Sequence, residues 1–289
     1  MIPIAIVDTA WVVYKFRQYY KDNCRVDDKG QYFPTGHVYG TINIVQQLTS
    51  HYKAVILAVD SLSYDRFQIL PGYKSGRHSP TGNPYEDYKV MTDLLNILKL
   101  CTYHDRVFYI KHEGMESDDI LASWIAGSVF DDVRELSCYF NDVDILQTPG
   151  RYHWFRSFHE PEVDRVSYIK EKFGFEMDYL PVWWKVVRGD RSDGIPSSIP
   201  RYPSKKLVQL CSSSSPASDV NWFINNVGIQ CSREDVERNY NVVVPKVVPV
   251  SEFKLKRLGI TETEALDLLR YYQISDYSLR GRNEGVNVV

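Results

Sequence analysis

Residues Ala54 to Val59 form an unbroken apolar, β-rich run closed by Asp60. A run this short, apolar without alternation, fits a strand buried on both faces, which implies a parallel sheet covered by helices on either side. Neighbouring segments fit the same scheme. Ile4 to Asp8, Val107 to Ile110 and Leu136 to Phe140 read as further strands. Between them, Gly36 to Leu48 carries Val38, Ile42, Val45 and Leu48 as one helical stripe, and Tyr85 to Leu100 reads as a helix opened by Asn83-Pro84. Ser117 to Ile125 is a helix whose acidic first turn complements its dipole. In parallel sheets, sites form beyond the carboxyl ends of the strands. Three of the expected strands run into Asp8, Asp60 and Asn141-Asp142, so a shared acidic site is expected there.

Composition limits what such a site can serve. No stretch of the 289 residues approaches the roughly 18 apolar residues of a membrane span, and no membrane partner is expected. The N-terminus lacks the basic start and cleavage site of a signal peptide, so a cytoplasmic location is expected, host cytoplasm if the source is a phage. Five cysteines without a CxxC spacing point to isolated reduced thiols, not to a disulfide framework or zinc ribbon. The net charge of −3 argues against a wholly basic nucleic-acid binder. It leaves open an enzyme on a polyanion, because clustered carboxylates invert their local sign by binding divalent cations. The 21 tyrosines are read mainly as amphipathic core and rim residues.

Ser61 to Pro84 is polar and contains Lys74, Gly76, Arg77, Pro80 and Gly82, which reads as a mobile loop. After about residue 160 the pattern shifts to short helices. Ser212-Ser-Ser-Ser-Pro-Ala-Ser is the candidate linker, and Thr261 to Tyr272 a further helix.

The acids fall into five groups: Asp8; Asp60; Glu116 with Asp118 and Asp119; Asp142 with Asp144; Asp190 with Asp193. On one helix Asp118 and Asp119 diverge, whereas Glu116 and Asp119, three apart, share a face. Asp142 and Asp144 project to one side of an extended segment. Asp190 and Asp193 bracket a turn. Acids this dense repel unless cations lie between them, and an all-oxygen donor set suits Mg2+ or Mn2+. Two such ions roughly 4 Å apart activate a water and stabilise the leaving oxygen of an in-line phosphoryl displacement. The seven histidines adjoin none of these groups and are read as structural or surface residues.

These groups and their flanks resemble the 5′-nuclease family of phage 5′→3′ exonucleases, flap endonucleases and the 5′-nuclease domain of bacterial DNA polymerase I. The similar stretches are Val7-Asp8-Thr9 with Tyr14 following, Thr35-Gly-His-Val-Tyr-Gly-Thr-Ile-Asn, and Ala58-Val-Asp60. Arg66 followed by Tyr73-Lys74-Ser-Gly-Arg77 looks like the family's arginine and YKxxR signature. Gly114-Met-Glu116-Ser-Asp118-Asp119 resembles its GxEADD helix start, Asn141-Asp142-Val-Asp144-Ile-Leu-Gln147 its GDKDLxQ turn, and Gly189-Asp190-Arg-Ser-Asp193-Gly-Ile-Pro196 its GDxSDNIPG. The order and spacing hold over residues 4 to 210.

The resemblance implies an α/β, PIN-like fold with a mostly parallel sheet, a helical arch at about 61–100, and a helix-hairpin-helix subdomain. The catalytic domain would span 1–160, and a duplex-binding helical subdomain 161–289. It implies a first metal at Asp8, Asp60, Glu116, Asp118, Asp119 and Asp142. A second would lie at Asp144, Asp190 and Asp193, with Asp142 between the two. Lys74 and Arg77 would act from the arch on the scissile phosphate, Tyr73 would stack on a base, and Arg66 would contact phosphate or brace the acids. Arg201, Lys205 and Lys206 would hold duplex phosphate. The implied substrate is DNA with 5′ ends or flaps, with RNA–DNA hybrid left open, cut by a monomer carrying two Mg2+ or Mn2+ ions.

One departure stands out. After Pro196 the family has a glycine-rich hairpin that often binds K+, whereas this chain has Ser197-Ser-Ile-Pro-Arg-Tyr-Pro203. Positive-φ turns are harder without glycine, which argues against the K+ site. Two further readings compete: a non-catalytic nucleic-acid-binding module that kept the fold, and a PIN-type ribonuclease. The first conflicts with retention of every family acid, Lys74 and Arg77. The second conflicts with the YKxxR and GDxSD segments, which such domains lack.

Overall fold

A computed structural model describes residues 2–26, 30, 32–75, 84–130, 134–174, 180–212, 220–228 and 231–274. In chain order the elements are β1 (Ile2–Asp8), α1 (Thr9–Tyr19), the hairpin strands β2 (Cys24–Val26) and β3 (Tyr32–Pro34), α2 (Gly36–His51), β4 (Ala54–Ala58) and α3 (Tyr64–Ile69). They continue with α4 (Pro84–Thr102), β5 (Val107–Ile110), α5 (Ser117–Gly127), β6 (Arg134–Tyr139), β7 (His153–Phe155) and α6 (Arg165–Phe173). The last helices are α7 (Leu180–Arg188), α8 (Ser204–Ser212), α9 (Val220–Asn226), α10 (Arg233–Val243) and α11 (Glu262–Tyr271).

Five strands form a parallel sheet in the order β5-β4-β1-β6-β7. Alternating residues of β1 explain why its sequence shows no polar face. Ala5 and Val7 enter a core with α1, α2 and α4, while Ile4 and Ile6 enter the opposite core with α5. The chain leaves β1 towards β4 and β5, then returns to β6 on the other side of β1. Strand order therefore reverses at β1, and the crevice above such a reversal is where α/β sheets bind ligands. Of the three strands that border it, β1 ends on Asp8, and Asp60 and Asp142 follow β4 and β6.

A third core joins α7, α8, α9 and α10, where the Trp183 and Phe223 rings stack 4.0 Å apart. It reaches Tyr73, so it packs against the segment after α3.

Several expectations need correction. The described part of the stretch after Ser61 is not all solvent loop: Tyr64–Ile69 form α3, and Arg66 and Tyr73 are buried. Burial of an arginine there requires acid partners, which come from α5. Residues 76–83, including Arg77, lie outside the described residues, as do 213–219 of the expected linker. The hairpin β2–β3 and the strand β7 were not foreseen, because three residues carry too little pattern.

The tail does not belong with the helices that follow residue 160. Lys256 bridges Tyr109 beside β5, and Ala265, Leu269 and Tyr272 enter the core shared with α2 and α4. There the Tyr272 hydroxyl donates to Asp93 at 2.6 Å and accepts from Asn96 at 2.9 Å, while His37 meets Asp93 at 3.0 Å. Among the described residues no helix is long and apolar enough to cross a membrane.

Candidate metal and nucleic-acid site

Three local devices bring the acids together. Asp8 ends β1 and caps α1, its carboxylate accepting from Trp11 N and Ser117 Oγ, each at 3.2 Å. Asp60 follows β4 and accepts from Ser117 N at 2.7 Å, tying β4 to the start of α5. Glu116 and Asp119 form a capping box at that start, and the Asp119 carboxylate accepts from Glu116 N at 2.9 Å. The helix turn then sends Asp118 the other way, towards Asp8, Asp60 and Asp142.

Glu116 and Asp119 face Arg66. Its guanidinium donates to Glu116 Oε2 at 2.7 Å and to both Asp119 oxygens, at 2.7 and 3.2 Å. Tyr73 and Lys74 also donate to Glu116, at 3.0 and 2.7 Å. Burial works against the charge of Glu116, but Lys74 and Arg66 beside it hold the carboxyl below its ordinary value. Asp119 additionally accepts from Lys246 N at 2.7 Å. With an arginine fork and two backbone amides on it, Asp119 has its acceptor positions filled. The expectation of a metal ligand there gives way to a brace. Arg66 is 3% exposed and Tyr73 4%, so neither reaches a nucleic acid. Of the two roles open to Arg66, it braces the acids, and Tyr73 serves the same cluster.

Asp8, Asp60, Asp118 and Asp142 line the floor of a cavity of about 470 Å3, with Lys74, Trp11, Tyr14, Leu94 and Lys111 on its walls. Burial, then the charges of Asp60 and Asp142, push the Asp8 carboxyl up to about 7. Asp118 is raised likewise by burial, Asp142, Asp8 and Asp60. These acids are short of positive charge.

Asp142, Asp144 and Asp190 meet instead around a residue the sequence reading passed over. Lys185, on α7, places Nζ 2.5 Å from Asp144, 3.3 Å from Asp190 and 3.7 Å from Asp142. Only its place five residues before Asp190, on an amphipathic helix, signalled it. Asp144 is pushed up to about 8 by burial and Asp142 despite Lys185, and one of its oxygens is buried without a hydrogen-bond partner. Asp190 is held below its ordinary value: burial opposes its charge, but Ser192 and Lys185 outweigh it.

The loop carrying Asp190 closes on itself through paired backbone bonds between Asp190 and Ile195. Gly189 and Gly194 take positive φ, and a Cβ on Gly194 would meet Gly72 O at 2.4 Å. That closeness lets Lys74 N donate to Asp193 O at 2.8 Å, so the loop holds the Lys74 turn over the acids. Asp193 is 9% exposed and lines a second recess with Asp118, Asp142, Asp144 and Lys185.

Arg201 is exposed in the hairpin between α7 and α8, and Lys205 and Lys206 are exposed in the first turn of α8. The turn forms without glycine because Arg201 itself adopts φ 61° and the Ser197 and Ser198 hydroxyls cap Val187 O and Val186 O.

Among the described residues, no three His, Cys, Asp or Glu side chains stand close enough to hold a metal as they lie. Lys74, Lys185 and Arg66 supply the positive charge instead. The donor set nonetheless fits hard cations: it is all oxygen, it includes an orphaned buried Asp144 oxygen, and Asp8 and Asp118 repel their neighbours.

The model of the 5′–3′ exonuclease N-terminal resolvase-like domain matches residues 3–174. The chain belongs to this 5′-nuclease family. It is a nuclease by that membership. Among solved structures, this 5′-nuclease is similar to the D15 protein of bacteriophage T5 co-crystallised with metal ions. The TM-score is 0.63 at 16% identity, over 83% of this chain and 89% of that one. A zinc-bound T5 5′-exonuclease gives 0.59 at 14%, over 94% and 89%. The catalytic core of Rad2 in complex with DNA substrate gives 0.52 at 12%, over 95% and 90%. At such identities the likeness is one of fold: a mostly parallel sheet flanked by helices. No curated protein matches the sequence.

Proposed function

We propose that the 5′-nuclease is a structure-specific 5′→3′ exonuclease and 5′-flap endonuclease that hydrolyses DNA with two Mg2+ or Mn2+ ions. One observation carries this reading: an all-oxygen acid floor at the strand-order reversal, with Lys74 held over it from the turn after α3. Asp8, Asp60, Asp118 and Asp142 would hold one ion; Glu116, expected beside them, is engaged instead by Arg66, Tyr73 and Lys74. Asp142, Asp144, Asp190 and Asp193 would hold the other. When bound, such ions supply a nucleophilic water and neutralise charge at phosphorus.

The chain's own groups do the rest. Arg66, Tyr73 and Asp119 fix Glu116 in place, and Glu116 in turn aims the Lys74 ammonium at the cavity. Lys74 then offers a point charge to the scissile phosphate. Arg77, four residues below in sequence order from Tyr73, would add a bidentate grip. Arg201, Lys205 and Lys206 would take duplex phosphates by charge. The domain reading follows: a sheet domain carrying the acids, completed by Asp190 and Asp193 from the helical part, in a monomer.

The test is a 5′-flap DNA labelled at its 5′ end, with Mg2+ and with EDTA. Cleavage of the flap and of a recessed 5′ end, lost in EDTA, is expected. Binding without metal-dependent cutting would sink the reading, and a preference for RNA would favour the ribonuclease alternative. Asp142→Asn should bind and fail to cut. An RNA–DNA hybrid in the same assay decides whether that substrate is used.

A further inference from the structure

Outside the acid cluster, Lys15 and Arg156 lie crowded together without a carboxylate ion pair among the described residues. Lys15 on α1 donates to Arg156 O at 3.3 Å. Lys15 Nζ also stands 4.9 Å over the Trp11 ring and 5.7 Å over that of Phe158. Arg156, just past β7, lays its guanidinium 4.6 Å from the Tyr168 ring and uses only Nε, which donates to Asn141 at 2.9 Å. Neither cation has an ion pair with a carboxylate among the described residues. Glu160 is the acid that acts on Lys15 from a distance, while burial and Arg156 push the Lys15 ammonium down.

Two like charges do not gather on aromatic faces without cost, and desolvating a cation on a ring strengthens its attraction to an anion. Among the described residues nothing hydrogen-bonds the guanidinium's two Nη groups, whose fork geometry suits a phosphate. The position is informative as well. Asn141, which orients Arg156, directly precedes Asp142, and Trp11 under Lys15 is a wall of the 470 Å3 cavity. A chain of phosphates with one unit at the acids would bring a neighbouring unit here.

We infer that Lys15 and Arg156 together form a phosphate clamp that grips a second backbone phosphate of the nucleic-acid substrate beside the catalytic cavity. The inference rests on the nuclease reading above for the identity of the polyanion. Asn141 positions the fork, and Trp11 and Phe158 fix the ammonium.

The experiment measures binding of 5′-flap DNA by fluorescence anisotropy in EDTA, where no cleavage occurs. Wild type, Lys15→Gln/Arg156→Gln and the single variants are compared across about 50–300 mM salt. The double variant should bind about tenfold more weakly at low salt, and its slope of log K against log salt should be shallower by about one. Unchanged affinity and slope would overturn the clamp. A second arm uses wild-type protein and DNA carrying one uncharged methylphosphonate linkage at a time. One linkage next to the scissile position should weaken wild type but not the double variant, and equal loss in both would also overturn it. Both arms read binding alone, so a protein that binds but never cuts would refute the nuclease reading and leave the clamp standing.

Discussion

The acids of this site differ in whether the fold supplies their counter-charge. Glu116 and Asp119 have Arg66 and Lys74; Asp144 and Asp190 have Lys185. Asp8, Asp60 and Asp118 have neighbouring carboxylates and no ion pair among the described residues. The paired acids are already arranged before any ligand arrives. The unpaired ones carry repulsion that a bound proton or cation relieves, which is how a fold stores affinity for a metal at a cost in stability.

The largest effect should come from breaking the paired side. Arg66→Met leaves Glu116 and Asp119 buried against an apolar stem, and removing one partner of a buried pair costs about 3–5 kcal/mol. Urea unfolding in EDTA should show that loss, and a loss below about 1 kcal/mol would mean that Arg66 does not brace the acids. On the unpaired side, Asp118→Asn should lower cleavage by roughly a hundredfold or more, since each ion contributes several kcal/mol. The same substitution should raise the urea midpoint of the metal-free protein, because it removes a repelling charge. A variant that loses both activity and metal-free stability would place Asp118 among the braces instead.

Much of this arrangement was legible in the sequence. Continuous apolar runs ending in acids gave the sheet, and the three-residue spacing of Glu116 and Asp119 gave their common face. The roles of Arg66 and Asp119 were not legible, because an arginine in a polar stretch looks solvated until the helix that covers it is known. Lys185 was hidden for a related reason. Its partners Asp142 and Asp144 lie 43 and 41 residues away in sequence, at the start of a 3-10 turn that α7 packs against. The tail's return rests on Lys256 bridging Tyr109 in β5 and on Tyr272 meeting Asp93 in α4, and no local periodicity records either contact.

Lys185 sharpens the comparison further. Its ammonium occupies the space among Asp142, Asp144 and Asp190 that a second ion would need, so that ion competes with a built-in cation. Lys185→Met should therefore tighten the weaker of two Mn2+ ions by roughly tenfold, about 1.4 kcal/mol, as read by electron paramagnetic resonance titration. A second ion that binds more weakly in the variant would show that Lys185 supports the metal site.

The smallest effect concerns the metal-free protein and pH. In the unfolded chain Asp8 and Asp144 lose their protons near the ordinary value of 3.8; in the folded chain they keep them up to about 7 and about 8. Between those values the native state holds more protons than the unfolded one, so stability falls as pH rises. The falling window runs from about pH 4 to about pH 8, with the full contribution present below it. Glu116 and Asp190, held below their ordinary values, act with the opposite sign and only at more acid pH. In EDTA the urea midpoint should thus decline between about pH 5 and pH 8, and saturating Mg2+ should remove most of the decline, because an ion takes the place of the protons. A metal-free midpoint that climbs over the same range would mean that burial and neighbouring acids crowd neither the unpaired Asp8 nor Asp144, which Lys185 offsets only in part.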